Sequence, residues 1–587
     1  MNLLKDQHVL VLGLGISGLA MARWCARCGA LVTVADTRAT PPGLAALQAD
    51  LPQARFVAGA FDASLVEGSD IRAVFRSPGL SPGQVAPVVD AARALGLWTG
   101  GELDLFARAL ADLREDFAYT PRVIAITGTN GKTTVTSLTG QLVERAGRRV
   151  AVAGNIGPSM LDTLAAQLDT LPADLPRASE LAPEPELPEA VEETGDTAVA
   201  SGSEAEAADE ADTAAPEGDE SAADAEAAAP AVDAALAGDE PVVDEEEPER
   251  RPTANDLLPE IWVLELSSFQ LEGVQGFEPT VGTVLNITQD HLDWHGDMAA
   301  YAAAKQRVFG ERGGMLLNRD DPQVAAMQPP VVKVPRGQKP VIRPVATFGT
   351  GMPVRPGDWG IEDMAGMVWL VRAMEADETR KRRKDEEEEI HIQRLMPADA
   401  LRIRGRHNAA NALAALALAT SAGCPLAPML YGLREYRGEP HRVEPVGIVG
   451  DVEYFDDSKG TNVGATVAAL QGLGAERHVV VILGGEGKGQ DFSPLAAPLA
   501  RFARAAVLIG RDAPLIRAAL EGTGVALVDA TDMADAVARA TERAHAGDAV
   551  LLSPACASFD MFDNYGHRGQ VFQDVVASMR QDAGEVM

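Results

Sequence analysis

One short stretch decides the fold: Ile124-Ala125-Ile126-Thr127-Gly128-Thr129-Asn130-Gly131-Lys132-Thr133-Thr134. Its apolar half predicts a buried strand, and the residues that follow predict a glycine turn and the start of a helix. This layout presents backbone N–H groups and a helix N-terminus to an anion. Lys132 can reach terminal phosphate oxygens, and the Thr133 hydroxyl can bind Mg²⁺. An ordinary glycine turn is the alternative. The stretch predicts an ATP phosphate site formed by Gly128, Thr129, Asn130, Gly131, Lys132, Thr133 and Thr134.

The acidity of the chain is concentrated in one segment. The 587 residues carry a formal net charge of −35, and residues 180–249 hold 25 acidic residues and no lysine or arginine. From about 170 to 256 the chain consists largely of Ala, Glu, Asp and Pro and has no aromatic residue. Such a segment cannot bury enough apolar surface to offset its ordering entropy, so we expect a disordered insertion. A solvated spacer is favoured over an acidic arm that binds a partner.

The bulk composition excludes several classes of protein. No basic tract dominates, so nucleic acid is an unlikely partner. The four cysteines are too scattered for a disulfide framework. No apolar run reaches the about 18 residues of a membrane span, and the N-terminus reads as a first strand rather than a signal peptide. We therefore expect a cytoplasmic protein with no membrane span. We also expect a monomer.

The N-terminal region predicts a βαβ unit. A strand at His8–Leu12 precedes a glycine turn at Gly13–Gly18, a helix at Leu19–Cys28 and a second strand at Leu31–Ala35. The G-x-G-x-x-G spacing with Asp36 about 20 residues later matches the dinucleotide fingerprint, which alone favours NAD or FAD. A further strand leads into the rigid turn Ser77–Gly83, at the kind of strand end where ligands collect in open α/β sheets.

Later polar clusters follow predicted strands or open helices. Because the carboxyl ends of parallel strands meet at one sheet edge, we expect these clusters to form one site. Lys305 lies on a predicted helix at Met298–Phe309, where the pattern alone favours a surface lysine. A charged segment at 376–390 predicts an exposed loop or hairpin tip. The clusters are Glu265–Gln270, Asn286–Asp293, Arg404–Asn411, His441–Glu444, Asp456–Asn462, Gly484–Lys488 and Ser553–Asp560.

Nine motifs carry a family resemblance. They are GTNGKTT (128–134), GNIG (154–157), ELSSFQLE (265–272), DHLD (290–293), GRHNAANALAA (405–415), HRVE (441–444), DDSKGTN (456–462), GGEGKG (484–489) and LLSPACASFD (551–560). With the N-terminal GLGISG (13–18), they resemble the Mur ligase family, and within it the ligases that add D-glutamate to UDP-N-acetylmuramoyl-L-alanine. In that family the first domain holds a UDP-sugar, so the resemblance displaces the NAD interpretation.

The resemblance implies an α/β protein of three domains. Residues 1–112 would form a Rossmann-like domain that binds the UDP-sugar. Residues 113–440 would form a central P-loop ATPase-like α/β domain, interrupted by the acidic insertion. Residues 441–587 would form a C-terminal Rossmann-like α/β domain that binds the amino acid and ATP.

The resemblance also implies roles for individual residues. Four side chains would be catalytic: Lys132, His291, Lys305 and Lys459. Asn408, Arg442 and Asp457 would join the phosphate loop in holding ATP. The Mg²⁺ ligands would be Thr133, Glu265, His291 and Lys305, the last as a carbamate formed with CO₂, which requires a neutral amine. The UDP-sugar would contact Ile16, Ser17, Asp36, Thr37, Arg38, Ser77, Gly79 and Asn155. D-glutamate would contact Lys459, Thr461, Lys488, Ser558 and Phe559.

Other functions stay open at this point. A sister Mur ligase or a folylpolyglutamate synthase-like ligase would share the ATP core. An NAD-dependent oxidoreductase and a non-catalytic scaffold acting through the acidic insertion are less favoured. The favoured function is ATP-dependent addition of D-glutamate through an acyl phosphate, in peptidoglycan precursor synthesis.

Overall fold

The computed structural model describes residues 2–181, 251–329, 343–376, 389–475 and 477–584. Within these ranges the chain forms three β-sheets of five, nine and six strands, each covered by helices. The prediction of three α/β domains is therefore confirmed. Residues 182–250, which hold most of the predicted disordered insertion, lie outside the described residues.

The first sheet is parallel, with the strand order β3-β2-β1-β4-β5. This order belongs to the Rossmann-like arrangement that places ligands at the carboxyl ends of the strands. Helix α1 begins earlier than predicted because Gly15, rather than a later residue, occupies its N-cap. The strands are β1 (His8–Leu12), β2 (Leu31–Asp36), β3 (Arg55–Ala58), β4 (Ile71–Arg76) and β5 (Trp98–Gly100). The helices are α1 (Ile16–Arg27), α2 (Leu44–Asp50), α3 (Pro82–Ala94) and α4 (Glu102–Phe117).

The second sheet has the order β14-β13-β12-β11-β10-β9-β6-β8-β7. Its strands are parallel from β7 to β12, and an antiparallel β12-β13-β14 meander completes one edge. The strands are β6 (Arg122–Thr127), β7 (Val150–Gly154), β8 (Ile261–Glu265), β9 (Val281–Val284), β10 (Gly314–Asn318), β11 (Val345–Phe348), β12 (Trp359–Met364), β13 (Met367–Glu375) and β14 (Ile390–Pro397). The helices are α5 (Lys132–Arg145), α6 (Met160–Leu168), α7 (Ala254–Leu257), α8 (Ser268–Leu271), α9 (Leu292–His295), α10 (Met298–Gln306), α11 (Pro322–Ala325), α12 (Arg406–Ser421) and α13 (Leu426–Leu433).

The third sheet has the order β15-β16-β20-β17-β18-β19 and is parallel except for β15. The strands are β15 (Glu444–Val449), β16 (Val452–Asp456), β17 (Val479–Gly484), β18 (Ala503–Ile509), β19 (Ala526–Asp529) and β20 (Ala549–Leu552). The helices are α14 (Val463–Gly474), α15 (Ala496–Phe502), α16 (Ala513–Leu520), α17 (Met533–Arg543) and α18 (Tyr565–Asp582).

The structure describes both ends of the segment predicted to be disordered, residues 170–181 and 251–256, and the bounds of the insertion stay a prediction. Leu175 is buried on the N-terminal side. On the C-terminal side, helix α7 starts with a capping box between Thr253 and Asp256. A buried leucine and a capped helix turn are short features that composition averaged over a long acidic segment conceals.

The charged segment at 376–390 connects two paired strands. Strands β13 and β14 run antiparallel with Glu375 opposite Ile390, as a hairpin requires. Residues 377–388, which form the rest of this segment, lie outside the described residues. Helix α4 continues past residue 112, where the first domain was expected to end. The position of this domain boundary stays a prediction.

The core of the central domain forms because its central strands are apolar on both faces. Every residue of β8 is buried, as is typical of a parallel strand covered by helices on both sides. Helix α12 packs beside α5, and its residues Ala412–Ala419 are all buried. The loop between β6 and α5 lies at the edge of the sheet, directly after the buried strand β6 and before the packed helix α5. Within the described residues, no helix has the length and apolarity needed to cross a membrane.

A buried polar relay lies within the central domain, beside a ring contact with helix α4. Trp262 of β8 is fully buried, and its ring packs edge-on against Phe106 of α4 at 5.0 Å between centroids. Its indole N–H donates to the Tyr119 hydroxyl at 2.9 Å, and that hydroxyl donates to the Pro259 carbonyl at 2.6 Å. The Tyr119 oxygen therefore satisfies two buried polar groups.

We expect Tyr119→Phe to lower stability by about 1–3 kcal/mol, because it leaves a buried N–H and a buried carbonyl without partners. The measurement is the urea midpoint followed by tryptophan fluorescence. Tyr431→Phe is the matched control, since Tyr431 is 63% exposed, and its midpoint should equal that of the parent. Equal midpoints for both variants would contradict the relay.

Candidate active site

The phosphate loop is held in place by its neighbours. Gly131 has φ 81°, a left-handed conformation that favours glycine, and it caps α5, which starts at Lys132. Asn286, after β9, accepts from the Asn130 backbone N–H through Oδ1 at 2.8 Å and from the Thr129 N–H through its carbonyl at 2.9 Å. Its Nδ2 donates back to the Asn130 carbonyl at 3.1 Å. The loop is therefore fixed from the adjacent strand end.

A cavity of about 440 Å³ opens beside this loop. It lies between the carboxyl edge of the central sheet and the start of the third domain. Four of the seven clusters that the sequence predicted to meet contribute to it: Glu265–Gln270, Asn286–Asp293, His441–Glu444 and Asp456–Asn462. Its lining includes Thr129, Asn130, Gly131, Lys132, Thr133, Asn155, Glu265, Asp290, His291, His441, Arg442, Lys459, Thr461 and Asn462.

Two lysines, Lys305 buried and Lys132 half-buried, converge on one backbone carbonyl. The Lys132 ammonium donates to the Gly128 and Thr129 carbonyls at 2.9 Å each, and the Lys305 ammonium donates to the Gly128 carbonyl at 2.8 Å. Burial, and then the charge of Lys132, lowers the pKa of Lys305 well below its ordinary value. Burial also lowers the pKa of Lys132. The pattern-based prediction of a surface lysine at 305 is wrong, because α10 turns this side chain towards the sheet, where it is 1% exposed.

Glu265 ends β8 with one carboxylate oxygen engaged and the other free. Its Oε1 accepts from Asn155 Nδ2 at 2.7 Å. Its buried Oε2 has no hydrogen-bond partner among the described residues, an arrangement that is costly unless a cation or donor arrives. Thr133 and His291 line the same cavity. A carboxylate, a hydroxyl and an imidazole form a donor set that fits a divalent cation such as Mg²⁺, which prefers oxygen ligands.

His291 lies in an aromatic cluster and has a left-handed backbone, with φ 54°. Its ring meets Phe269 at 4.7 Å between centroids, and Nε2 is 3.6 Å from Asp290 Oδ2. Burial lowers the pKa of His291 although Asp290 opposes this effect, and nearby lysines, including Lys488, lower it further. The imidazole is therefore kept neutral, the form in which it can bind a metal.

The third domain supplies cations to the cavity. Arg442 donates to the Thr133 hydroxyl at 2.6 Å. Lys459 lies 3.7 Å from the ring centre of Tyr565, which holds its ammonium in a cation–π contact. Asp457 is buried and accepts from Ser553 at 2.6 Å, and burial raises its pKa to about 7.

A second cavity, of about 140 Å³, adjoins the first and shares Asn130, Gly131, Arg442 and Lys459 with it. Asn408, Asn411 and Asp457 also line it. Asn408 lies in the first turn of α12, whose N-cap is Gly405, and its side chain donates to the Arg404 carbonyl at 2.8 Å. The predicted ATP residues therefore surround two adjoining spaces.

The residues predicted for the UDP-sugar divide into two groups. Ile16, Ser17, Asp36, Thr37, Arg38, Ser77 and Gly79 follow the carboxyl ends of β1, β2 and β4, and Ile16 is 81% exposed. Asn155 lies instead beside Glu265 in the 440 Å³ cavity. Both oxygens of Asp36 are occupied, by the Leu14 N–H at 2.8 Å and by Arg38. Arg38 is the main reason that the pKa of Asp36 falls to about 2, and a nucleotide ribose would have to displace these partners.

Three residues predicted to bind D-glutamate lie on two joined loops. A backbone bridge between Glu486 and Ala557 connects the loop of Lys488 to that of Ser558 and Phe559. In the described part of the chain, the lining of the 440 Å³ cavity includes Lys459 and Thr461 but not these three. Ser558 is buried, whereas Phe559 is 68% exposed.

Sequence reasoning missed two contributors. Asn462 ends the motif DDSKGTN, and its side chain pairs with Asn130. Tyr565 stacks on Lys459 but stands outside every motif. The motif could have indicated Asn462, whereas Tyr565 enters the site only because α18 starts beside β16.

Three family models match the chain. The N-terminal domain of Mur ligase MurD-like proteins matches residues 7–98, the Mur ligase middle domain matches 126–206 and 253–341, and the Mur ligase glutamate ligase domain matches 441–556. A UDP-N-acetylmuramoylalanine--D-glutamate ligase of Albidiferax ferrireducens is 59% identical over 100% of this chain and 98% of the relative. The chain belongs to the Mur ligase family.

Further relatives agree with this membership. Ligases of the same name from Polaromonas sp. and Burkholderia pseudomallei are 52% and 49% identical. They align over 100% and 99% of this chain, and over 100% and 98% of their own lengths. The resemblance inferred from the nine motifs is therefore confirmed at the level of the Mur ligase family.

The raised pKa of Asp457 predicts a pH effect on stability. The folded state holds the Asp457 proton more tightly than the unfolded chain, whose carboxyl has a pKa of about 3.9. The resulting stabilisation is full below that value and is lost as pH rises towards about 7. Asp457→Asn cannot ionise, so its melting temperature relative to the parent should rise between pH 4.5 and pH 8.

Differential scanning calorimetry at several pH values measures this difference. Asp90→Asn is the control, since the Asp90 side chain is 71% exposed. A constant offset for Asp457→Asn would show that the buried carboxyl does not titrate in this range.

Proposed function

We propose that this protein is an ATP-dependent ligase that adds D-glutamate to UDP-N-acetylmuramoyl-L-alanine in peptidoglycan precursor synthesis. The observation that carries the proposal is that the phosphate loop and the Lys459–Thr461 segment line one cavity, in a chain 59% identical to a ligase of that name. The two halves of the reaction, phosphoryl transfer and amide formation, require such a shared space.

The reaction would proceed in two balanced steps. The terminal alanine carboxylate attacks the γ-phosphorus of ATP, and the acyl phosphate and ADP form. The D-glutamate amine then attacks the acyl carbon, loses a proton and displaces phosphate. The first step brings two anions together, so most of the rate gain would come from positioned cations. Holding three substrates in one geometry would supply the rest.

The phosphates of ATP would bind along the loop. Gly128, Thr129, Asn130, Gly131, Lys132, Thr133 and Thr134 would form this part of the site. Lys132 is the proposed γ-phosphate ligand because, in the described part of the chain, its ammonium donates to two neutral carbonyls and to no carboxylate. Arg442 and Lys459 reach the same cavity from the third domain. Asn408 and Asp457 line the adjoining space, where the adenosine would lie.

Mg²⁺ is the proposed cofactor, and the donor chemistry supports it. Thr133, Glu265, His291 and a carbamate on Lys305 are the proposed ligands. The free Oε2 of Glu265 and the neutral imidazole of His291 are the side-chain atoms that fit this role. The cation would neutralise phosphate charge when bound.

The remaining residues would hold the other two substrates. The UDP-sugar would lie over the first sheet at Ile16, Ser17, Asp36, Thr37, Arg38, Ser77 and Gly79, with Asn155 nearer the reacting end. D-glutamate would be held by Lys459, Thr461, Lys488, Ser558 and Phe559. The domains would span 1–112, 113–440 and 441–587, in a monomer located in the cytoplasm.

We expect phosphate release only when ATP, Mg²⁺, UDP-N-acetylmuramoyl-L-alanine and D-glutamate are supplied together. L-alanine, a diamino acid, D-alanyl-D-alanine and L-glutamate replace D-glutamate in parallel assays. D-glutamate should give a rate at least about 100-fold above L-alanine and D-alanyl-D-alanine, because a cation of the site left unpaired penalises a ligand that lacks the matching carboxylate. L-glutamate has the same charge as D-glutamate and therefore tests only the choice of stereochemistry.

Lys132→Ala is the matched inactive variant. Its rate should fall by about 100- to 1,000-fold through loss of transition-state charge stabilisation, with an unchanged circular dichroism spectrum. Lys5→Ala removes an exposed lysine and should act as the parent does. Faster turnover with any other amino acid would assign the chain to a sister ligase.

We expect Lys305 to react with CO₂, because its lowered pKa favours the neutral amine. That amine adds to the carbon of CO₂ and loses a proton, which gives a carbamate. Enzyme prepared with ¹³C-bicarbonate should show a carbamate signal by NMR, and CO₂-free buffer should lower the rate reversibly. Lys305→Met should lack both the signal and the bicarbonate response, whereas Lys5→Met should retain both. Full activity without a carbamate signal would contradict the modification.

A further inference from the structure

The N-terminus of α14 contacts the phosphate loop. None of the residue roles proposed above uses this contact. Asn462 caps this helix, with Oδ1 accepting from the Ala465 N–H at 2.9 Å. The same side chain pairs with Asn130 in both directions. Its Nδ2 donates to Asn130 Oδ1 at 3.1 Å, and its Oδ1 accepts from Asn130 Nδ2 at 3.3 Å. One amide therefore joins a helix of the third domain to the phosphate loop.

Glycine makes this approach possible. A β-carbon at Gly464 would lie 2.8 Å from the Thr288 hydroxyl oxygen and 3.2 Å from Asn130 Nδ2. Farther along the same helix, a β-carbon at Gly472 would lie 2.7 Å from Cε1 of His407, on α12. Positions spaced by four share a helix face, so α14 turns a face of small residues to the central domain at two separate points.

The contact between Asn462 and Asn130 fixes the distance between the start of α14 and the phosphate loop. Asn130 is fixed to the central sheet through Asn286, so the loop cannot easily follow a moving partner. Asn462 comes directly after the segment that carries Lys459 and Thr461 into the cavity. The amide pair therefore sets the separation between the phosphate loop and the groups proposed to meet the amino acid.

We propose that Asn462 and Gly464 are positioning residues that hold the third domain in its reactive position against the phosphate loop. The inference rests on the proposed ligase function of this cavity. Neither residue touches the reacting atoms in this assignment. Their effect is exerted through Asn130 on one side and through Lys459 and Thr461 on the other.

Asn462→Ser separates the positioning role from helix capping. A serine retains a side-chain oxygen for the N-cap but is too short to reach Asn130. Loss of two hydrogen bonds should lower kcat/KM for D-glutamate by about tenfold or more. Affinity for a fluorescent ATP analogue should change less than about twofold, since Asn286 still holds the loop. Asp532→Ser is the matched control, because Asp532 caps α17 on the opposite face of the third sheet.

Gly464→Ala tests the same contact by steric means. The added β-carbon would lie 2.8 Å from the Thr288 hydroxyl oxygen, so the start of α14 has to move away from the phosphate loop. The proposal expects a loss of kcat/KM for D-glutamate similar to that of Asn462→Ser. The double variant should lose little beyond either single variant, because both changes break one contact. Parent-like kinetics for both single variants would overturn the proposal.

A measurement that needs no amino-acid substrate tests the positioning role independently of which amino acid the protein uses. Hydrogen exchange at Val463–Thr466 is compared with and without a non-hydrolysable ATP analogue and Mg²⁺. The parent should gain protection when the nucleotide binds, and Asn462→Ser should not. Equal protection in both proteins would refute the positioning role. Failure of D-glutamate as a substrate, with this difference intact, would refute the proposed function alone.

Discussion

Two ammonium groups, one buried and one half-buried, that share one carbonyl oxygen are the constraint on which this site depends. Lys132 and Lys305 both donate to the Gly128 carbonyl, at 2.9 and 2.8 Å. Among the described residues, neither ammonium has a carboxylate at hydrogen-bond distance, so the charged form of each is costly where water is largely excluded. The depressed pKa of both lysines expresses that cost. Anionic substrates or conversion of one amine to a carbamate would relieve it. The same local charge therefore explains why the loop would attract phosphate and why Lys305 would become reactive.

Three groups of neighbours surround the two lysines and the phosphate loop. Asn286 fixes the loop from the adjacent strand end. Glu265 offers an oxygen without a partner among the described residues, and the aromatic cluster around Phe269 orients His291. The third domain then contributes Arg442 and Lys459. Because cations arrive from two domains, their separation matters as much as their identity, and the amide pair of Asn130 and Asn462 becomes important for that reason.

The sequence predicted individual strands and turns from strong local signals, and the family resemblance supplied the three-domain architecture. The strand at His8–Leu12 and the strand and turn before Lys132 match the structure closely, since buried parallel strands and glycine turns have distinctive short patterns. Prediction was weaker where burial depends on packing. Lys305 carries no local sign of burial, and the ends of the acidic insertion contain a buried leucine and a capped helix turn that composition concealed. Tyr565 stands in no motif because its contact with Lys459 depends on where α18 begins.

The sequence by itself determined the α/β class, the places along the chain of several strands with polar residues at their ends, and the resemblance to the Mur ligase family. These properties reside in short contiguous patterns whose physics is local. Only the tertiary structure decided which polar side chains meet, that Lys305 is buried beside Lys132, and that Asn155 belongs with Glu265. It also decided that α14 approaches the phosphate loop through a glycine. These properties depend on distances between residues far apart in the chain, which are set by sheet register and helix packing.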